Sequence, residues 1–337
     1  MTPRTVNVAA IQMQTIPGDA AANIALAERM ATQAFDDGAD VVGLPEFFTG
    51  AVTLADSVFD LVLPQTNTVQ DMFTRLANRF GGRIGGSALV ADCGEIYNRY
   101  YFAEPGGHIH VHDKDLPTFW ECAVYRGGSD DGVWETGLGA VGAAVCWELI
   151  RTGTVQRMLG RVGLAVTGTH WYGLPSFLAN LPMLRSVTQY NRYLADQAPV
   201  EFAKLIGAPV LHANHCGPTV GKMLLAPGTD VALPYRSHCV GAAQIIDADG
   251  NVLAARQASD GPGIVAADVT LGSTPPRAVV DDEQFWIPAL PLLHKAHWRL
   301  QNLACAGAYH RYGRRRGLEA AERAALGATS HVIEAAK

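Results

Sequence analysis

Residues 6–42 decide the fold: Val6-Asn-Val-Ala-Ala-Ile11, a break at Pro17-Gly18-Asp19, a run with apolar residues at Ile24, Ala27, Met30, Ala31 and Ala34, and then Gly38-Ala-Asp-Val-Val42. The outer pieces are short apolar runs and the middle one repeats every three or four residues, so the stretch reads strand, helix, strand. Working outward, apolar runs predict further strands near 84–91, 96–103, 108–113, 140–145, 163–168, 209–214, 238–247, 252–257 and 264–269, beside the first two near 5–12 and 40–44. Helices are expected near 19–37, 67–80, 150–160, 180–206 and 283–304. Asp92-Cys-Gly-Glu95 and Asp247-Ala-Asp-Gly-Asn251 each join two strand runs as hairpin turns do. Crossover helices mixed with hairpins predict an α/β molecule with two layers of sheet covered by helices, not one purely parallel sheet.

The 337 residues are 48% hydrophobic and 17% charged, enough to bury a large core in one domain over 1–270. Thr274-Pro-Pro276 then introduces a helical extension, 271–337, expected to pack on the same domain or on a partner subunit. A net charge of -6 offers nucleic acid or an anionic membrane no electrostatic attraction. The one basic cluster, Arg311 with Arg314-Arg315-Arg316, reads as a solvated face of the tail. Near the N-terminus Val6–Ile11 is too short for a secretory or membrane-spanning segment, so the expected location is cytoplasmic. Six cysteines without a Cys-x-x-Cys pair suggest thiols that are mostly incidental to function.

Three segments concentrate reactive residue types. Gly43-Leu-Pro-Glu46-Phe-Phe places a carboxylate just past a strand end, where ligands of α/β sheets gather. His112-Asp-Lys114-Asp-Leu-Pro-Thr-Phe-Trp-Glu121 follows another strand with a lysine and a glutamate. Gly142-Ala-Ala-Val-Cys146-Trp-Glu148 ends a small-residue strand in a cysteine that is expected to enter a helix. A cysteine at a helix start has its thiolate favoured, a nearby carboxylate can take its proton, and a lysine can meet the charge that develops on the attacked atom. Singly, each has an ordinary reading as a loop carboxylate, a surface lysine or a core thiol. Their order and company are what point to catalysis.

The order Glu46, Lys114, Glu121, Cys146, with Leu44-Pro45-Glu46-Phe47 and Cys146-Trp147-Glu148 around the outer members, resembles the nitrilase superfamily of carbon–nitrogen hydrolases over about residues 5–270. The resemblance implies a four-layer α-β-β-α sandwich, a homodimer or higher homo-oligomer, a small-molecule amide or nitrile as substrate, and no cofactor or metal. It also implies roles for the four residues. Cys146 would be the nucleophile and Glu46 the base and later acid. Lys114, with the Trp147 N–H, would hold the oxyanion, and Glu121 would position Lys114, water or substrate. Cys-Trp-Glu is similar to the nitrilase branch, whereas Leu149-Ile-Arg-Thr-Gly-Thr154 and His112-Asp-Lys-Asp-Leu-Pro depart from it. An amidase is the leading expectation, with a nitrilase and a cysteine acyltransferase as alternatives.

Thr169-His-Trp-Tyr172 follows a predicted strand, so Trp147, Glu148, His170, Trp171 and Tyr172 are the candidate substrate-binding residues. Asn214-His-Cys216 offers a second pocket wall. His108, His110 and His112 alternate as metal ligands on a strand can, but the Lys114 cation two residues on argues for a polar strand instead. Gly137-x-Gly139-x-x-Gly142 precedes a strand, whereas a dinucleotide loop must follow one.

Overall fold

The computed structural model describes residues 4–50, 56–224, 231–273, 285, 290 and 292–335. The predicted opening holds: β1 (Arg4–Met13), α1 (Ala20–Asp36) and β2 (Val41–Gly43) run in order, and Asp19 caps α1 by accepting the Ala22 N–H. Then come α2 (Thr68–Phe80), β3 (Arg83–Asp92), β4 (Glu95–Ala103), β5 (Ile109–Asp113), β6 (Val133–Thr136), β7 (Gly139–Val145) and α3 (Thr152–Met158). The chain continues through β8 (Leu164–Thr169), α4 (Ser176–Ala179), α5 (Arg185–Ile206), β9 (Val210–His215), β10 (Pro218–Leu224), β11 (Ala232–His238) and β12 (Gly241–Ile246). It ends with β13 (Val252–Gln257), β14 (Gly263–Leu271), α6 (Leu292–Ala308) and α7 (Arg314–Ala335).

Strands β5-β4-β3-β2-β1 form one half of the sheet system, extended by β14 antiparallel to β1. The other half is β9-β8-β7-β6, extended by β12 and β13, and the halves join where Gln12 and Met13 pair with Asn214 and His215. The two faces of β1 explain the layering. Val6, Val8 and Ala10 share a core with Val141, Val166 and Leu211 of the second half, while Ala9, Ile11 and Met13 pack with Ala27 and Ala31 of α1 and Phe73 and Leu76 of α2. Val155 and Met158 of α3 and Leu194, Ala198 and Phe202 of α5 join the core of the second half. The result is the four-layer α-β-β-α architecture with C-terminal helices.

The β3–β4 turn pairs Asp92 with Glu95, and Cys93 and Gly94 take φ of 49° and 75°, the positive values that a two-residue hairpin turn demands. Three elements differ from expectation. β6 and both strands of the β10–β11 hairpin were not foreseen, whereas the helix expected near 150–160 is α3, Thr152–Met158, entered through a 3-10 turn at Cys146–Ile150. The start of the helix expected at 283, and Thr274-Pro-Pro276, lie outside the described residues. Gly137–Gly142 spans the β6–β7 turn and the start of β7, not a loop opening a helix.

The C-terminal helices pack on their own chain. Ala304, Cys305, Ala308 and Tyr309 share a core with Trp120, Ala123 and Tyr125. At Gly313 the backbone passes so close to the Ala123 carbonyl oxygen that a Cβ would stand 2.0 Å from it. The Tyr309 hydroxyl donates to the Glu95 carboxylate at 2.6 Å and accepts the Ile96 N–H at 3.1 Å. Among the described residues no helix is long and apolar enough to cross a membrane.

Candidate active site

Three strand ends converge on one buried cluster. After β2, the segment 44–48 is tied to β3 through Leu44 N–H to the Gly85 carbonyl (2.7 Å) and Phe47 N–H to the Ser87 hydroxyl (3.2 Å). From the second half of the sheet, β8 approaches at Gly168, where a Cβ would lie 2.7 Å from the Glu46 nitrogen; any other residue would push the two sheets apart at the site. His215, at the end of β9, meets the Glu46 carbonyl oxygen through Nε2 at 2.6 Å. The Glu46 side chain is fully buried and accepts from Asn98 Nδ2 (2.8 Å), Lys114 Nζ (2.9 Å) and the His170 N–H (2.8 Å).

Lys114 follows β5, with its N–H on the Asn98 carbonyl oxygen at 3.0 Å, and its buried Nζ bridges Glu46 and Glu121, the latter at 2.8 Å. Glu121 sits in a 3-10 turn, Phe119–Ala123, and also accepts the Thr118 N–H at 2.9 Å and the Tyr125 hydroxyl. Cys146 begins its own 3-10 turn at the end of β7. Phe47, Phe119 and Cys146, one in each segment, take φ of 52°, 54° and 56°. Bulky residues seldom occupy that region, and such strain gathers at functional sites.

Burial dominates the electrostatics. It raises the Cys146 thiol well above its ordinary 9.0, with the Glu46 charge adding to the effect and Lys114 opposing it. Sequence reasoning had a helix dipole lowering that pKa. The dipole is worth about 0.3–1 kcal/mol at the end of a real helix, whereas full burial shifts a group by up to about 3–5 units, and here the helix is only a five-residue turn. Burial also raises Glu46 above 4.5, against the pull of Lys114. Burial alone would neutralise Lys114, but Glu121 and Glu46 outweigh it and hold the ammonium charged well past 10.5. The resting site is therefore a protonated thiol beside a carboxyl group of raised pKa and a lysine held as a cation. Such an arrangement can pass a proton from sulfur to Glu46 as the sulfur attacks, and can meet the negative charge that develops.

A cavity of about 300 Å³ opens over Cys146 and Glu121, walled by Phe119, Trp147, Trp171, Leu174 and Gln301 among others. His170 and Tyr172 also line it, so four of the five candidate substrate-binding residues face it. Glu148 does not. Its carboxylate is fully buried behind Cys146, bonded to the Val145 N–H (2.7 Å), the Asp115 N–H (2.9 Å) and His112 Nε2 (3.0 Å). Asn214, His215 and Cys216 are buried without lining the cavity, and His215 instead backs Glu46.

Sequence reasoning missed Asn98, Tyr125, Asn191 and Gln301. Tyr125 stands four residues after Glu121, a spacing that could have flagged it. Asn191 of α5 holds the wall by accepting from Trp171 Nε1 (3.0 Å) and donating to the Tyr172 carbonyl (3.1 Å). The histidine strand carries no ligand set: His110 pairs with Glu104, His112 with Asp130 and Glu148, and His108 is exposed. Among the described residues no group of three or more His, Cys, Asp or Glu side chains could hold a metal ion.

Residues 7–276 match the family Carbon-nitrogen hydrolase. A bifunctional nitrilase/nitrile hydratase of Nicotiana tabacum is 26% identical over 298 residues, covering 80% of this chain and 79% of the relative. A CN-hydrolase superfamily protein of Xanthomonas campestris shares the fold at a TM-score of 0.60 and 19% identity, covering 79% of this chain and 90% of that one. An amidase from Nesterenkonia sp. does so at 0.57 and 18%, with the same coverage. The fold, the strand-end cluster and the match over 7–276 lead to one conclusion: this chain belongs to the carbon–nitrogen hydrolase family of the nitrilase superfamily, enzymes that act on non-peptide carbon–nitrogen bonds.

Proposed function

We propose that the chain hydrolyses a small-molecule amide through an acyl-cysteine formed on Cys146. The observation that carries this reading is the Lys114 ammonium bridging Glu46 and Glu121 at 2.9 and 2.8 Å beside a thiol in a strained backbone conformation. Cys146 Sγ attacks the amide carbon while its proton moves to Glu46, and the oxyanion that forms is met by Lys114 and by the Trp147 N–H. Glu46 then protonates the departing nitrogen as the C–N bond breaks, leaving a thioester and free ammonia or amine. Water attacks the thioester, Glu46 takes its proton, and the acid departs as the thiol is restored. Glu121 keeps Lys114 in place and offsets its charge.

Cys146-Trp147-Glu148 and the likeness to a tobacco bifunctional nitrilase/nitrile hydratase favour nitrile hydrolysis as the second reading. The same thiol would add to the nitrile carbon to give a thioimidate, and one further water would carry it to the thioester with loss of ammonia. Ammonia release from a panel of small amides and nitriles, with mass spectrometry of the products and Cys146→Ala as control, separates the two. Acid and ammonia from amides alone support the amidase reading, and from nitriles the second. If amides and nitriles both give no ammonia and an electrophile leaves Cys146 unlabelled, the nucleophile assignment fails.

A further inference from the structure

The cavity over Cys146 is walled by rings. Phe119 and Trp147 meet edge to face at 4.8 Å, Trp147 and Trp171 lie 6.0 Å apart, and Trp120 tilts over Tyr172 at 6.3 Å. Leu174 and Leu178 also line the cavity. A space of about 300 Å³ with such walls suits a flat apolar body, which rings contact by stacking or edge to face.

Charge narrows the choice further. Among the described residues lining the cavity there is no lysine or arginine, and the one carboxylate, Glu121, is already held by Lys114, the Thr118 N–H and the Tyr125 hydroxyl. An acyl group carrying a carboxylate would lose its water there without meeting a free cation, and a buried unpaired charge is the costliest polar burial. An ammonium would find ring faces but also the Lys114 charge nearby.

His170 is a polar group left open toward the cavity. It is 1% exposed, and neither ring nitrogen has a hydrogen-bond partner among the described residues. Buried polar groups are rarely left so unless a ligand or water completes them. The groups packed around the ring are Phe47, Tyr172 and His215, with Lys114 close enough to act on it. Burial first, then His215 and Lys114, keep the imidazole neutral, so one nitrogen donates and the other accepts. The backbone N–H of His170 donates to the Glu46 carboxylate at 2.8 Å, which places the residue beside the group proposed to serve the scissile bond.

We infer that the substrate's acyl part is uncharged, seats an aromatic or similarly flat apolar body between these rings, and presents a hydrogen-bonding group near the scissile carbon to His170. This rests on the carbon–nitrogen hydrolysis proposed above. The test measures kcat/KM for ammonia release from 2-hydroxy-2-phenylacetamide, phenylacetamide, the half-amide of succinic acid and β-alaninamide, with native enzyme, His170→Phe and His170→Gln. Both aryl amides should exceed the charged ones by about a hundredfold, and the hydroxyl should add about tenfold, the worth of one good hydrogen bond. That tenfold advantage should vanish in His170→Phe and return in part in His170→Gln. A charged amide as the best substrate, or a hydroxyl advantage that is absent from the native enzyme or survives in His170→Phe, overturns the inference while leaving the hydrolase reading intact. No ammonia from any amide or nitrile, with Cys146 unlabelled by iodoacetamide, removes both. If His170→Phe does not fold, the charge order and hydroxyl advantage of the native enzyme decide.

Discussion

Two buried ionic clusters lie back to back, built from the same two stretches of chain. In the first, Lys114 bridges Glu46 and Glu121 beside Cys146, and Cys146 and Glu121 border the cavity; two residues away in each stretch, His112 and Glu148 do not line it and meet Asp130, Asp115 and Arg157 instead. The first cluster sets one cation between two carboxylates and leaves a reactive thiol at its edge. The second reaches the surface chiefly through Asp130 and pairs each of its charges: His112 presents both ring nitrogens to carboxylates, Asp130 at 2.5 Å and Glu148 at 3.0 Å, and Arg151 and Arg157 pair with Asp115 at 3.0 and 3.4 Å. Carboxylates paired with cations thus belong to the proposed chemistry where the cluster borders the cavity and hold two segments together where it does not. Glu148 binds the N–H groups of Val145 and Asp115, so it fastens the cysteine elbow to the lysine loop.

The largest expected effect separates the clusters by what is lost. Cys146→Ala should lower kcat by at least about 10⁴-fold, since no other group can carry the acyl intermediate, while thermal unfolding moves little. Glu148→Gln should do the reverse. It leaves a buried imidazolium without its main counter-charge, which costs about 3–5 kcal/mol of stability, while kcat per folded molecule falls by no more than about tenfold. Denaturant unfolding and active-site titration on both variants measure this. If Glu148→Gln is as stable as the native protein but inactive, the division between the clusters is wrong.

Acidity should divide them next. Both pKa shifts of the inner pair agree: His112 is pushed up to about 10 because the attraction of Glu148 and Asp130 outweighs burial, and Glu148 is pulled well below 4.5 because His112 outweighs its burial. A raised histidine contributes stability that is complete below its ordinary 6.5 and lost as pH rises through about 10. A depressed carboxyl contributes above its ordinary 4.5 and loses that only as pH falls through its lowered pKa. The pair therefore stabilises most between about pH 4.5 and 6.5. Stability should drop between pH 6.5 and 10, on the order of 5 kcal/mol at the limit and much less in Glu148→Gln, and the melting temperature should fall with it. Activity should respond on the acid side instead. Glu46 must be ionised to take the thiol proton and its pKa is raised, so the acid limb of kcat/KM should lie above 4.5. Lys114 stays charged past 10.5, so it adds no alkaline limb below that. An acid limb at or below 4.5 would mean that a different group acts as base.

Glu46, Lys114 and Cys146 were legible because each stands at a strand end inside a short local motif, and Glu121 because it follows Lys114 by seven residues in the same segment; strand ends of the two sheet halves meet where β1 touches β9. The direction of Glu148 was not. Leaving β7, the chain turns at Cys146 into a 3-10 turn with φ of 56°, and that turn carries the second carboxylate to the far side. The β10–β11 hairpin escaped because its second strand, Ala232–His238, buries only Ser237 and carries Pro234, so no alternating core face marks it. The layering was readable from crossover helices mixed with hairpins, and β1 shows its physical basis, since its alternate residues belong to different cores.

Gln301 marks the smallest expected effect and the sharpest limit of sequence reasoning. It lines the cavity from α6, in the extension beyond the matched span 7–276, and nothing in its helical spacing ties it to Cys146. Because α6 is separate from the strand ends that carry the reacting groups, Gln301 should bind the distal part of the substrate equally in ground and transition states. Gln301→Leu should then raise KM by about threefold or change its dependence on acyl size, with kcat nearly constant and stability within about 0.5 kcal/mol. Steady-state kinetics over a series of acyl lengths reads this directly. A fall in kcat at constant KM would instead place α6 in contact with the reacting centre, and the C-terminal helices would then have to be counted with the catalytic cluster, not with the wall around it.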